Sequence, residues 1–165
     1  MSVSDWYAHN LSHWSDIQDH LPRLYEAAKG TVVEIGTRAG YSTSALLAGV
    51  EAHSGKLTSV DVNECLSGLH HPQWEFVRCD SVKGAEELRD KLPQEIDVLF
   101  VDGDHSYEGC LSDLENFGPR AKRIFVHDTD AENYPGVRQA VTKYCDDSKR
   151  SVIFHPKSYG MAEIQ

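Results

Sequence analysis

A doubly wound α/β sheet is the fold this sequence predicts, on three observations. From residue 30 onward, short β-branched or apolar runs alternate with helical stretches, the pattern of parallel strands joined by crossover helices. Gly and Pro separate segments of ordinary element length, with no repeat, low-complexity tract or Pro/Ser-rich linker to divide the chain. The 165 residues suit one domain, which at this size buries about 70% of the surface its unfolded chain exposes.

In the first 29 residues, Trp6, Tyr7, Leu11, Trp14, Ile17, Leu21, Leu24 and Tyr25 recur mostly three or four apart, a helical period that Pro22 is expected to break into two helices. Trp6 and Trp14 are expected to pack this segment on the sheet, with lining of a ligand pocket as their second reading, and residues 1–29 to form a helical lid over a domain at 30–165. Strands are predicted at Thr31–Ile35, Lys56–Val60, Trp74–Arg78, Asp97–Val101, Arg123–Val126, Ser151–Phe154 and Gly160–Ile164. Helices are predicted at Thr43–Ala52, Val82–Leu92, Tyr107–Phe117 and Gly136–Cys145; in the third, Tyr107, Cys110, Leu111, Leu114 and Phe117 share one face. If the chain grows outward through three strands and returns beside the first, the turns Glu34–Tyr41 and Asp102–Tyr107 face each other, where such sheets bind ligands.

Charge and cysteine usage narrow the function classes. With 26 Asp and Glu against 16 Lys and Arg, the net charge of −10 repels phosphate backbones and anionic lipid, so neither nucleic acid nor membrane is expected as a partner. Cys65, Cys79, Cys110 and Cys145 show no CxxC spacing, and no export signal or long apolar run is present. A reducing, cytoplasmic setting is the expectation.

Chemistry-bearing residues cluster where strands end. The first turn reads Glu34-Ile35-Gly36-Thr37-Arg38-Ala39-Gly40-Tyr41-Ser42, two glycines that allow a ligand close to the backbone, without the dinucleotide GxGxxG. The Glu34 carboxylate would oppose a pyrophosphate and suits a cationic group. Asp61, directly after the second strand, is placed to accept both hydroxyls of a ribose. Asp80 and Ser81 after the third strand either cap a helix or bind an adenine amino group. The fourth strand ends Asp102-Gly103-Asp104-His105 and the fifth His127-Asp128-Thr129-Asp130, bringing acids and imidazoles to one edge of the sheet. His127 alone reads more readily as a packed core histidine than as a ligand. His9 and His13 have zinc-compatible spacing but no third ligand nearby.

VEIGTRAGYST, the acid in SVDVN, the RCDS turn, VDGDHSYEGCLSDL and VHDTD followed by YPGVRQAV, in this order, resemble the class I S-adenosylmethionine-dependent methyltransferases, in particular the small-molecule O-methyltransferases related to macrolide-sugar and cephalosporin-pathway enzymes. The resemblance spans roughly residues 30–165. It implies a Rossmann-like seven-strand sheet, mostly parallel with an antiparallel last strand and helices on both faces. It implies that Glu34, Gly36, Thr37, Arg38, Gly40 and Ser42 hold the methionine part of S-adenosylmethionine, with Glu34 on its ammonium group. Asp61 would hold the ribose, Asp80 and Ser81 would flank adenine, and Asp102 would border the cofactor. Asp102 and Asp128 would bind Mg²⁺ or another divalent cation, with His105 as general base toward a small hydroxylated acceptor. Related enzymes often carry Glu before the fifth-strand Asp or Asn after it; here the neighbours are His127, a ligand for a softer ion or a packed ring, and Thr129. Against an O-methyltransferase stand a non-catalytic S-adenosylmethionine-binding or assembly protein and a nicotinamide-dependent oxidoreductase, the latter disfavoured by the missing GxGxxG. Homo-oligomerisation stays open.

Overall fold

A computed structural model describes residues 2–165. Helices α1 (Val3–Ser12) and α2 (Leu21–Ala27) are linked through a 3-10 turn at Gln18–His20. Then follow β1 (Thr31–Ile35), α3 (Tyr41–Ala52), β2 (Lys56–Asp61), β3 (Trp74–Arg78), α4 (Ala85–Lys91), β4 (Ile96–Val101), α5 (Tyr107–Phe117), β5 (Ala121–His127), α6 (Pro135–Ser148), β6 (Val152–His155) and β7 (Met161–Ile164). One sheet holds all seven strands in the order β3-β2-β1-β4-β5-β7-β6. Strands β1 to β5 pair in parallel, and β7 is antiparallel to both β5 and β6.

Alternation along the strands sorts the core into two layers. Val33, Ile35, Leu99 and Val101 pack against residues of α4, α5 and α6, whereas Val32, Val98 and Phe100 pack with α3 and the N-terminal helices. Because helices cover both faces, β4 reads Ile-Asp-Val-Leu-Phe-Val with a single polar position. The reversal between β3 and β4 lays β4 beside β1, so the carboxyl ends of β1 and β4 are neighbours at the switch point.

The N-terminal segment differs from its expected form. Pro22 opens α2 instead of breaking a helix, since in the first turn its missing N–H has no intrahelical partner to lose. The interruption falls earlier, at residues 13–17. Leu21, Leu24 and Ala28 are buried with α3, and Asn10 donates to the Ser44 hydroxyl at 3.0 Å, fixing α1 across the start of α3. Trp14 lies beyond the end of α1 and does not pack on the sheet; it is 79% exposed. Helix α4 begins at Ala85, because the preceding residues turn around Asp80, whose carboxylate accepts from the N–H groups of Val82 and Lys83. All four cysteines are free thiols, and among the described residues no helix is long and apolar enough to cross a membrane.

Candidate active site

The turn after β1 is fixed by its neighbours. Gly36 N–H donates to the Val60 carbonyl at 2.8 Å, and Asp102 N–H donates to the Ile35 carbonyl at 2.8 Å. Asp61 accepts from the N–H groups of Thr37 (2.9 Å), Arg38 (3.0 Å) and Asn63 (2.8 Å). Burial raises the Asp61 pKa, but those three N–H groups outweigh it and hold the carboxyl below its ordinary range. Gly36 has φ +94°, and a Cβ there would fall on the Asp102 carbonyl, so only glycine fits. The result is a cleft of about 210 Å³ walled by Gly36, Asp61, Asp80, Ser81, Gly103 and Asp104, among others. Asp80 accepts from the N–H groups of Val82 and Lys83 in the turn ahead of α4 rather than capping the helix, whose N-cap is Gly84, and it also lines this cleft.

Five residues expected at the donor ligand sit elsewhere. Glu34 is fully buried on the α3 face of β1, where Ser42 (2.6 Å), Thr43 (2.8 Å) and Ser59 (2.6 Å) donate their hydroxyls to it. Burial, partly offset by these hydroxyls, pushes its pKa up to about 7. Its carboxylate therefore cannot meet an ammonium group in the cleft, and Ser42 Oγ is committed to it. The Thr37 side chain is buried under the turn, facing the Val60 carbonyl. Gly40 lies beneath Trp6 and Leu66. The Arg38 guanidinium pairs with Asp16 at 3.4 Å and lines a different cavity.

Beyond the cleft, the ends of β4 and β5 bring Asp102, His105, His127 and Asp128 together. His105 Nε2 lies 3.1 Å from Asp102 Oδ1 and 3.0 Å from Asp128 Oδ2. Hydrogen bonds to these two carboxylates, against the opposing effect of burial, push the His105 pKa up to about 10. For His127 burial acts downward, but Asp102 and Asp128 prevail and raise it to about 9. Asp102 is pushed up by burial and down more strongly by the two histidines, so it stays ionised below the usual carboxylate range. Asp128 adopts φ +62°, a left-handed backbone unusual for a non-glycine residue.

This donor set fits a divalent cation. Ligand atoms of Asp102, His105 and Asp128 all lie within 4.8 Å of one another, and two imidazoles already bring positive charge to the carboxylates.

A second cavity, of about 590 Å³, opens beside this centre. His105 and Asp128 form its inner wall, Trp14, Tyr134 and Tyr159 supply aromatic surface, and Arg38, Asp16 and Lys157 add charge. The His105 ring stacks on Tyr134 with centroids 4.4 Å apart. Sequence reading missed Tyr134 and the 157–160 segment, which lie on loops with no characteristic spacing. It also passed over Gly103 and Asp104 as cleft walls, although both stand in the DGDH turn it singled out.

The chain belongs to the methyltransferase domain family, whose model matches residues 33–129. A curated relative, the uncharacterized protein R132 of Acanthamoeba polyphaga mimivirus, is 28% identical over 146 residues, covering 79% of this chain and 66% of its own length. The chain thus spans just under two thirds of that relative. Among solved structures, CalS11, a TDP-rhamnose 3′-O-methyltransferase of calicheamicin biosynthesis, matches with TM-score 0.66 and 18% identity over 89% of this chain and 76% of its own. The MycE methyltransferase of the mycinamycin pathway, in complex with Mg, SAH and mycinamycin VI, matches with TM-score 0.69 and 14% identity over 100% of this chain and 53% of its own. At these identities the likeness to the solved structures is one of fold.

Proposed function

We propose that this protein transfers a methyl group from S-adenosylmethionine to a hydroxyl oxygen of a small molecule, with a divalent cation held by Asp102 and Asp128. The observation that carries the reading is that the turn after β4 contributes to two unlike cavities: Gly103 and Asp104 wall the carboxylate-rich cleft, and the next residue, His105, walls the aromatic-lined cavity together with Asp128. The cleft has an acid for a ribose diol in Asp61 and polar groups for an adenine edge in Asp80 and Ser81.

In the transfer the acceptor oxygen forms a bond to the methyl carbon as the carbon–sulfur bond breaks, and the hydroxyl proton must leave. His105 is the base assigned to receive it, since its ring lines the acceptor cavity and stacks on Tyr134. Asp102 and Asp128 would hold a divalent cation, which when bound would supply Lewis-acid stabilisation of negative charge on the acceptor oxygen and offset the carboxylate charge that raises the His105 pKa. The two cavities hold donor and acceptor in line, the positional contribution to the rate.

Calorimetry with S-adenosylhomocysteine, followed by isotopic methyl transfer to a panel of sugar and phenolic hydroxyl compounds, tests the proposal. Binding of the ligand, transfer to oxygen and loss of transfer in Asp102→Asn are the expected results. Absence of binding rejects the donor site; binding with transfer only to nitrogen, or to nothing, rejects the O-methyltransferase reading.

A further inference from the structure

Behind the carboxylate-walled cleft, α5 carries a carboxyl with almost nothing to satisfy it. Asp113 is fully buried, and among the described residues no backbone N–H or basic side chain reaches either of its oxygens. Its Oδ2 lies 3.5 Å from where a Cβ on Gly103 would stand, so it reaches the back of a residue that walls the cleft. The donor that faces it is the Ser81 hydroxyl, and Ser81 walls the same cleft from the turn after β3. Burial, reinforced by Asp104 and Asp80, pushes the Asp113 pKa up to about 7. Above that pH the group is a carboxylate, which can only accept a hydrogen bond.

The neighbouring acid is already engaged. Asp80 Oδ1 accepts from the N–H groups of Val82 (3.1 Å) and Lys83 (3.0 Å), and its Oδ2 lies 3.5 Å from Lys83 Nζ. Ser81 is therefore the side chain of this turn whose hydrogen-bond sense is still open, since a hydroxyl can donate or accept. An ionised Asp113 fixes that sense: the hydroxyl hydrogen turns to the carboxylate, and the oxygen shows the cleft only lone pairs. Such an oxygen accepts from the 6-amino group of a purine and opposes a 6-oxo group. We infer that Asp113 is a positioning residue for the donor, which holds Ser81 Oγ as an acceptor and so selects a 6-aminopurine over a 6-oxopurine. The inference rests on the reading of this cleft as the S-adenosylmethionine site.

Calorimetry on the full chain at pH 8 compares S-adenosylhomocysteine with S-inosylhomocysteine, which carries an oxo group in place of the amino group. Wild type is expected to prefer the adenosyl compound by roughly a hundredfold or more. Asp113→Leu, similar in shape but unable to accept, frees the hydroxyl to donate and should reduce that preference by about tenfold or more. Ser81→Ala should reduce it as well, and adding Asp113→Leu to Ser81→Ala should change it no further, because the carboxyl acts through the hydroxyl. A merely structural carboxyl would weaken both compounds alike and leave their ratio intact. A preference unmoved by Asp113→Leu, or lowered as much by it in the Ser81→Ala background as in wild type, overturns the inference. Should Asp113→Leu fail to fold, Ser81→Ala decides: it must lower the preference and shift the Asp113 carboxyl carbon in ¹³C NMR, and failure of either overturns the inference. Wild type that binds neither compound rejects the donor site and this inference with it, whereas adenosyl binding without preference rejects the inference alone.

Discussion

Replacing Asp61 by asparagine separates the two tasks assigned to that carboxylate. Its oxygens accept from three backbone N–H groups at 2.8–3.0 Å, those of Thr37 and Arg38 on Oδ2 and that of Asn63 on Oδ1. Whichever way the new amide turns, its NH₂ faces at least one of those donors. The orientation that keeps Thr37 and Arg38 loses the bond to Asn63. A hydrogen bond to a charged group contributes about 1.5–3 kcal/mol, and Asp61 is only partly buried, so a loss near 2 kcal/mol is expected. At roughly 2–4 °C per kcal/mol for a chain of this size, the melting temperature should fall by about 4–8 °C. A ribose diol meeting a neutral amide should bind more weakly by a further 1.5–3 kcal/mol, about 10- to 100-fold in affinity. Thermal melts of the free protein and calorimetry with S-adenosylhomocysteine read the two effects separately. Because the folded pKa of Asp61 is depressed, its contribution is present above the unfolded carboxylate pKa and is lost as pH falls through the folded one, so the variant and the wild type should converge in acid. Equal melting temperatures at neutral pH would refute the turn-holding role. A lowered melting temperature with unchanged affinity would remove Asp61 from the ribose.

Three further outcomes are expected. Asp113 is buried on α5, and burial, only partly offset by the Ser81 hydroxyl and reinforced by Asp104 and Asp80, drives its pKa up to about 7. Its cost to folding is absent below the unfolded pKa near 3.8, grows as pH rises to 7 and is complete above, so Asp113→Asn should melt higher than wild type at pH 8, by up to about 4 kcal/mol in stability, and about equally at pH 4; a lower melt at pH 8 would count against it. Gly36→Ala forces φ +94° on a residue with a Cβ that meets the Asp102 carbonyl, so a loss of at least 1–3 kcal/mol and of S-adenosylhomocysteine binding is expected, and a wild-type melt would contradict the turn geometry. Trp14→Ala should leave stability within about 0.5 kcal/mol because the ring is exposed, yet raise KM for an acceptor; an unchanged KM would exclude Trp14 from the acceptor cavity.

The fold was legible because its signals are local and repeated. Val98–Val101 can only be a strand covered on both faces, and acids directly after strand-like runs mark the carboxyl edge. The direction of Glu34 was not legible, because a strand buried on both sides has no polar face to set the alternation: Val32 and Glu34 turn toward α3, Val33 and Ile35 away. The hydroxyl run Ser42-Thr43-Ser44 at a helix start was the available clue, since buried hydroxyls need an acceptor. His127 could be read two ways because the carbonyl that orients it belongs to Ser158, on the far side of α6 and β6. Of the aromatic-lined cavity only Trp14 was legible as a candidate, because Trp14, Tyr134 and Tyr159 come from three separate connections.

The hydroxyls gathered on Glu34 have a thermodynamic corollary. By stitching the start of α3 to β2 they make the donor half of the site stiff before any ligand arrives, so binding there entails little ordering and only a modest change in heat capacity. The aromatic-lined cavity is assembled from connecting segments, which in general tolerate substitution better than the elements they join. One half can therefore be kept constant while the other is retailored, and selectivity for new acceptors becomes separable from affinity for the donor.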